Sequence, residues 1–312
     1  MSANQQPVSA ALRRPSLDLW SSAWTLLALA NLFWAGNIVL GRGVAGMVPP
    51  VTLAYVRWTG AFLIGLGFAW PYLKRDWPVL LHQWPLMLLL SATGIASYNT
   101  LSYIGLTETT ALNVLLLQSA MPLVILLWAF ALFRERPSLA QSAGVLVSLA
   151  GVATIAAQGS VTVLLHLSIN RGDVWVLVAM AIYGIYAAMF RHRPRVHPMS
   201  FLVATMGLGS CMILPFFLWE RADGATIATD WQAWSALGYI AVFPSFIAYL
   251  FFNRGIELIG AARAGQSMHL MPVFGAVLAV AFLGERFHPF HGIGIALIAA
   301  GIVLAALKPR LV

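Results

Sequence analysis

Again and again this chain returns to an apolar run of roughly 20 residues, the length a helix needs to cross the hydrocarbon core of a bilayer. Ten such runs are present, at about 24–43, 51–71, 85–104, 111–133, 138–157, 173–191, 200–218, 236–253, 260–282 and 288–307. Only short connectors remain between them, so a separate soluble domain has no room. Composition agrees: 60% of residues are hydrophobic and 9% charged, where soluble domains carry about 25% charged residues. The expected class is therefore an all-α integral membrane protein with ten transmembrane helices.

A block of the chain also occurs twice, at a constant offset of 150 residues. Met121-Pro122, Glu135-Arg136, Gly144 and Gly151 return as Met271-Pro272, Glu285-Arg286, Gly294 and Gly301, and the flanking Gly105 and Ala111 return as Gly255 and Ala261. Proline, glycine and a Glu-Arg pair do not recur together by hydrophobic chance. The chain reads as a duplication of a five-helix unit.

Charge placement orients it. With the N-terminus in the cytoplasm, the inner side holds Arg13, Arg14, Lys74, Arg75, Arg134, Arg136, Arg191, Arg193, Arg195, Arg254, Arg263, Lys308 and Arg310. The outer side holds Arg42, Arg171, Arg221 and Arg286, with Arg57 left inside the second span. Cytoplasmic loops are enriched in Lys and Arg, so both termini are expected inside. Because five is odd, the second unit then enters the membrane from the opposite side, and the halves form inverted repeats. That is a recurring plan of secondary transporters, in which exchanging the conformations of the halves exchanges the open side.

The net charge of +8 belongs to this topology signal, so nucleic acid is not an expected partner. The first 23 residues form a polar tail, and the apolar run behind them is too long for the core of a cleaved signal peptide. Cys211 is the sole cysteine, which excludes an intramolecular disulfide and any paired metal motif.

Several of these features resemble the drug/metabolite transporter superfamily, in its ten-helix form with two EamA-type domains. They are Trp34-Ala-Gly-Asn37 in the first span, Arg57 in the second, Gly105 after the third, and the two Pro…Gly-Glu-Arg-type blocks. Gly284-Glu285 is the closer match, whereas Arg134-Glu135 departs from the usual Gly-Glu. The likeness spans residues 20–307. It implies an N-terminal tail (1–23), a first EamA repeat (24–157), an extracytoplasmic connector (158–172), a second repeat (173–307) and a short cytoplasmic tail (308–312). It also implies a central cavity lined by spans 1, 3, 4, 6, 8 and 9, with spans 5 and 10 peripheral. Members of that superfamily export amino acids and other small metabolites, or carry nucleotide sugars and triose phosphates.

Polar residues independently select the same six spans, because polar groups at membrane depth face the bundle interior or water. The first span presents Asn31, Trp34 and Asn37 on one face; the third carries Ser91, Tyr98, Asn99, Ser102 and Tyr103. The fourth offers Asn113 and Gln118, the sixth Tyr183 and Tyr186, the eighth Ser245, Tyr249 and Asn253, and the ninth Gln266, Ser267 and His269. Expected substrate-binding residues are Trp34, Asn37, Tyr98, Asn99, Asn113, Gln118, Tyr183, Tyr186, Tyr249, Gln266 and His269. The competing reading for any one of these Asn and Gln is interhelical packing. Trp20, Trp24, Trp70, Trp77, Trp84, Trp219, Trp231 and Trp234 read as interfacial anchors. Gly144 and Gly151 read as close-packing positions.

Pro122 and Pro272 fall near the middle of spans 4 and 9, where proline removes a backbone bond and kinks a helix; they are the expected hinges. Glu108, Glu135, Asp173, Glu257 and Glu285 fall at span ends, within reach of water. Arg57 is expected to snorkel toward the outer interface or to cap a neighbouring helix, with direct substrate contact as the alternative. A cavity of amides, hydroxyls and aromatics without fixed charge suits a neutral or zwitterionic solute with an apolar part, amino acids above all. The expected function is export or exchange of apolar or aromatic amino acids across the inner membrane, by a monomer or homodimer without cofactor. The alternatives are a broad-specificity drug/metabolite efflux carrier and, with least support, a membrane-embedded enzyme; no His-Glu-x-x-His, intramembrane Asp pair or Gly-x-Ser-x-Gly motif is present.

Overall fold

A computed structural model of the chain describes residues 19–134, 139–160, 162, 170–259, 264 and 267–306. Among the described residues every regular element is helical. The first half holds α1 (Ala23–Gly43), α2 (Pro50–His82), α3 (Trp84–Ser91), α4 (Tyr98–Glu108), α5 (Ala111–Gln118), α6 (Met121–Phe133) and α7 (Leu139–Ala156). The second holds α8 (Arg171–Met189), α9 (Pro198–Ala222), α10 (Trp231–Val242), α11 (Ala248–Ile259), α12 (Leu270–Leu283) and α13 (Pro289–Ala306).

Five described helices are long and apolar enough to cross a membrane, counting α10 and α11 as one, and six if α5 and α6 form one bent span. The outward surfaces of these and the shorter apolar helices carry exposed Leu63, Phe68, Leu127, Phe130, Leu146, Phe216, Val273, Val277, Phe282 and Val303. So large an apolar exterior fits lipid rather than water. All eight tryptophans read as anchors are exposed.

The packing follows the repeat. α2 lies along α9, and α7 along α13, each helix against its counterpart from the other half. The first helix of each half is exchanged: α1 packs on α11 and α12, and α8 on α4 and α6. The repeated glycines make the α7–α13 contact possible. A Cβ on Gly151 would lie 2.7 Å from the Gly294 carbonyl oxygen, and one on Gly301 2.5 Å from that of Gly144.

Carboxylates tie helix starts together. Glu285 accepts from the backbone N–H groups of Ala111 and Leu112, both at 2.8 Å, at the start of α5. Glu220 at the end of α9 accepts from Val51 (3.0 Å) and Thr52 (2.7 Å) at the start of α2. Asp76, near the other end of α2, accepts from His197 N–H (2.8 Å) just before α9. A carboxylate here satisfies first-turn donors that no intrahelical partner can reach.

Two features depart from a row of regular helices. A π-helical turn at Ala92–Ser97 joins α3 to α4, and another at Phe243–Ile247 joins α10 to α11. They stand 150 residues apart, in register with the repeat. The fourth span breaks instead of kinking at its proline: α5 and α6 meet at 47° across Ser119 and Ala120. Pro122 sits in the first turn of α6, where its missing N–H forfeits no helical bond. Pro272 likewise lies in the first turn of α12, after a short 3-10 turn at Ser267–His269.

Candidate functional site

The bundle is open at one end, in a vestibule of about 760 Å³ lined by Arg42, Pro49, Thr107, Thr110, Leu283 and Glu285 among others. Arg42 donates to the carbonyls of Leu106 (2.8 Å) and Thr107 (3.1 Å), fixing α1 against the end of α4.

Deeper, aromatic rings from both halves converge. Tyr98 of α4 meets Tyr183 of α8 at 4.5 Å between centroids, and Tyr183 meets Tyr186 at 5.2 Å. From the other side Trp34 of α1 packs on Tyr249 of α11 at 5.5 Å. Tyr98, Tyr183 and Tyr186 each lie within electrostatic reach of Tyr249, so the two groups are neighbours in the bundle. All five rings are half-buried although they lie deep in the bundle, as side chains bordering an internal space do. The π turns position them. Trp34 Nε1 donates to the Pro244 carbonyl at 3.0 Å, inside the second π turn, where the widened helix leaves an acceptor free. Opposite, Tyr186 packs on Gly94, inside the first.

Beside the rings is a polar cluster. Arg57 of α2 is 3% exposed. Its guanidinium donates to Asn99 Oδ1 (2.8 Å) and Tyr103 Oη (2.9 Å), and Tyr103 Oη donates to Asn37 Oδ1. The guanidinium also lies 4.6 Å from the Trp58 ring centroid, a favourable cation–π contact. This corrects two expectations. Arg57 does not snorkel outward, because Asn99 and Tyr103 hold it in the interior. Nor is the centre free of fixed charge.

Asn113 goes elsewhere. Its Nδ2 donates to Asp173 at 3.3 Å, and its Oδ1 accepts from His291 Nε2 at 3.0 Å. His291 Nδ1 in turn accepts from His288 N–H at 3.1 Å, which fixes the neutral Nε2–H tautomer. Thr109 Oγ1 donates to Asp173 as well. Asp173 is fully buried, so the expectation that water reaches it at the span end is corrected. Thr109, Asn113 and the start of α8 close over it.

Gln118 lies at the break between α5 and α6, with both amide atoms buried and unpartnered among the described residues. Asn31 donates to Ser267 Oγ at 3.1 Å, linking α1 to the start of the ninth span. Gln266 and the side chain of His269 fall outside the described residues. The rings of Trp34, Tyr98, Tyr183, Tyr186 and Tyr249 thus form one group, and Asn37 and Asn99 join Arg57 beside it. Arg57 was read with substrate contact only as the alternative, and Tyr103 only as one of the polar residues of the third span; spacing within the apolar second span gave no sign of the face Arg57 takes.

The model of the EamA-like transporter family matches the chain twice, over residues 21–157 and 170–307. An uncharacterized transporter of Bacillus subtilis is 27% identical over 70% of this chain and 72% of its own. Another, from Archaeoglobus fulgidus, is 26% identical over 92% of this chain and 98% of its own. A probable terminal-alkyne amino-acid exporter of Streptantibioticus cattleyicolor is 28% identical, covering 93% of each chain. A crystal structure with 23% identity superposes with a TM-score of 0.60 over 92% of this chain and 98% of that one, a likeness of fold.

Proposed function

The chain belongs to the EamA-like transporter family, and from that premise we propose that it exports or exchanges amino acids with apolar or aromatic side chains. It is a multi-pass membrane protein, and its family makes a small molecule and the lipid bilayer its partners. In this reading the membrane is the inner (plasma) membrane, the ten spans form two inverted five-helix repeats, and both termini are cytoplasmic. The vestibule bounded by Arg42 and Glu285 then opens outward.

One observation carries the proposal: a deep aromatic chamber to which both halves contribute, Tyr98 from one and Tyr183, Tyr186 and Tyr249 from the other. Ring faces and edges give apolar solutes contact area, and phenol hydroxyls give polar groups partners. A site shared by two repeats is re-exposed on the other side when the repeats exchange conformations. The exporter relative of Streptantibioticus cattleyicolor, whose name specifies an amino acid, supports the same substrate class.

The test is counterflow of labelled phenylalanine, tyrosine and leucine in proteoliposomes, with and without a pH gradient. Accelerated uptake into vesicles preloaded with the same amino acid is expected. No exchange of any of the three would sink the amino-acid reading.

A further inference from the structure

Arg57 is a buried cation with no carboxylate within ion-pair distance among the described residues. Both of its hydrogen bonds among the described residues go to neutral oxygens. Removing an unpaired charge from water is unfavourable by several kcal/mol even after relaxation, so an internal counter-ion is the expected arrangement, and the described residues supply none.

The hydrogen-bond directions say what kind of group completes the cluster. Arginine can only donate. Tyr103 Oη accepts from it, so its own proton goes to Asn37 Oδ1, and Asn99 Oδ1 accepts the other guanidinium bond. Both amide oxygens are thereby used. What is left over is donors alone: the Nε of Arg57, which is sealed, its second terminal nitrogen, and the Nδ2 groups of Asn37 and Asn99. None of these has a hydrogen-bond partner among the described residues. Arg57 is seven residues, about 10 Å along the helix, below the vestibule residue Pro50. Tyr98 and Tyr249 of the aromatic chamber lie within its electrostatic reach.

The repeat gives the cluster a direction. The positions 150 residues after Asn37, Arg57 and Asn99 are Ala187, Gly207 and Tyr249. None of the three counterparts carries a charge or an amide, and one of them, Tyr249, is a ring, so the donor set belongs to the first half alone.

We infer that Arg57, Asn99 and Asn37 form an anion site that takes the carboxylate of the solute, with the solute's apolar part lying against Tyr98, Tyr183 and Tyr249. A single cation matches a monocarboxylate; a phosphate dianion calls for a second one. Identifying the carboxylate as that of an amino acid rests on the proposed function, whereas the donor cluster by itself requires only a small organic acid.

Calorimetric titration of the purified full-length chain with phenylpropionate, phenylethylamine and phenylalanine tests the site. The wild type should bind both acids and not the amine. Arg57→Gln should weaken both acids on the order of tenfold to a hundredfold, the worth of a lost charge-assisted contact. Because that variant leaves a hole in the core, Asn99→Asp is the decisive companion. It gives Arg57 an internal counter-ion, so the protein should melt no earlier than the wild type and yet lose acid binding. A purely structural Arg57 would leave acid binding intact in Asn99→Asp. That result, equal binding of amine and acid, or no binding of either acid by the wild type would overturn the site. Binding of phenylpropionate without phenylalanine would uphold it and remove the amino-acid reading instead.

Discussion

Tyr103 stands between Arg57 and Asn37, accepting from the first and donating to the second, while its ring packs on Gly41 of α1. The hydroxyl therefore holds the guanidinium in place and turns the Asn37 amide so that its N–H faces the site. In Tyr103→Phe the ring keeps its packing, Arg57 loses one of two acceptors, and the freed Asn37 oxygen can face an incoming carboxylate. A hydrogen bond of this kind contributes about 1–1.5 kcal/mol, so the half-saturating concentration in counterflow should rise roughly five- to tenfold while the melting temperature stays close to wild type. An unchanged concentration dependence would show that the hydroxyl is not part of the site. Asn37 and Asn99 were legible as lining residues, but their link through Arg57 and Tyr103 was not. Val56, Trp58 and Thr59 surround Arg57 in sequence, and with apolar residues on every side of α2 no periodicity marks the inward face. Asn113 carried the opposite illusion: its polarity marked it as a lining residue, but its amide serves the buried Asp173.

The pairing of α7 with α13 depends on backbones approaching over glycine, as close packing within lipid does. Gly151→Ala places a methyl carbon 2.7 Å from the Gly294 carbonyl oxygen, whereas one added at Gly67 meets nothing within 4 Å. Overpacking of this sort costs about 1–3 kcal/mol, while alanine for glycine in an open helix position gains up to about 1 kcal/mol. Thermal unfolding in detergent should therefore fall for Gly151→Ala and hold or rise for Gly67→Ala; equal shifts would mean that the two helices do not touch there. Here sequence reading went far, because a glycine that recurs in both halves has few uses other than close approach. The π turns were invisible by the same method. Thr93 to Ser97 and Phe243 to Ile247 share no residue in register, so the two halves keep the shape by packing against α8 and α1 rather than by a common motif. The prolines were legible as discontinuities but not as helix starts. Hydropathy runs unbroken across Ser119 and Ala120, and only the backbone shows α5 ending before Pro122.

For the molecule as a whole, the proposed five spans per repeat make the strongest claim, since an odd number would force residues 150 positions apart onto opposite sides of the membrane. Thr107 near the end of α4 and Glu257 near the end of α11 are such a pair, and both are exposed. Arg42 holds the carbonyl of Thr107 at the vestibule end, while Glu257 pairs with Arg254 at 2.9 Å, and Arg254 reaches the Trp20 carbonyl before α1. With Cys211 replaced by serine, Thr107→Cys and Glu257→Cys each become the sole thiol of the chain. A membrane-impermeant maleimide added to intact cells should label the cysteine at 107 and spare that at 257, and inside-out vesicles should reverse the pattern. Labelling of both from one side would make the repeats parallel, and exchanging their conformations would then no longer move the shared aromatic chamber from one face to the other. Labelling with the sides interchanged would keep the inversion but turn the molecule over, placing the Arg42–Glu285 vestibule toward the cytoplasm. The arginine and lysine distribution argues against that outcome, because the vestibule end carries the smaller share of positive charge.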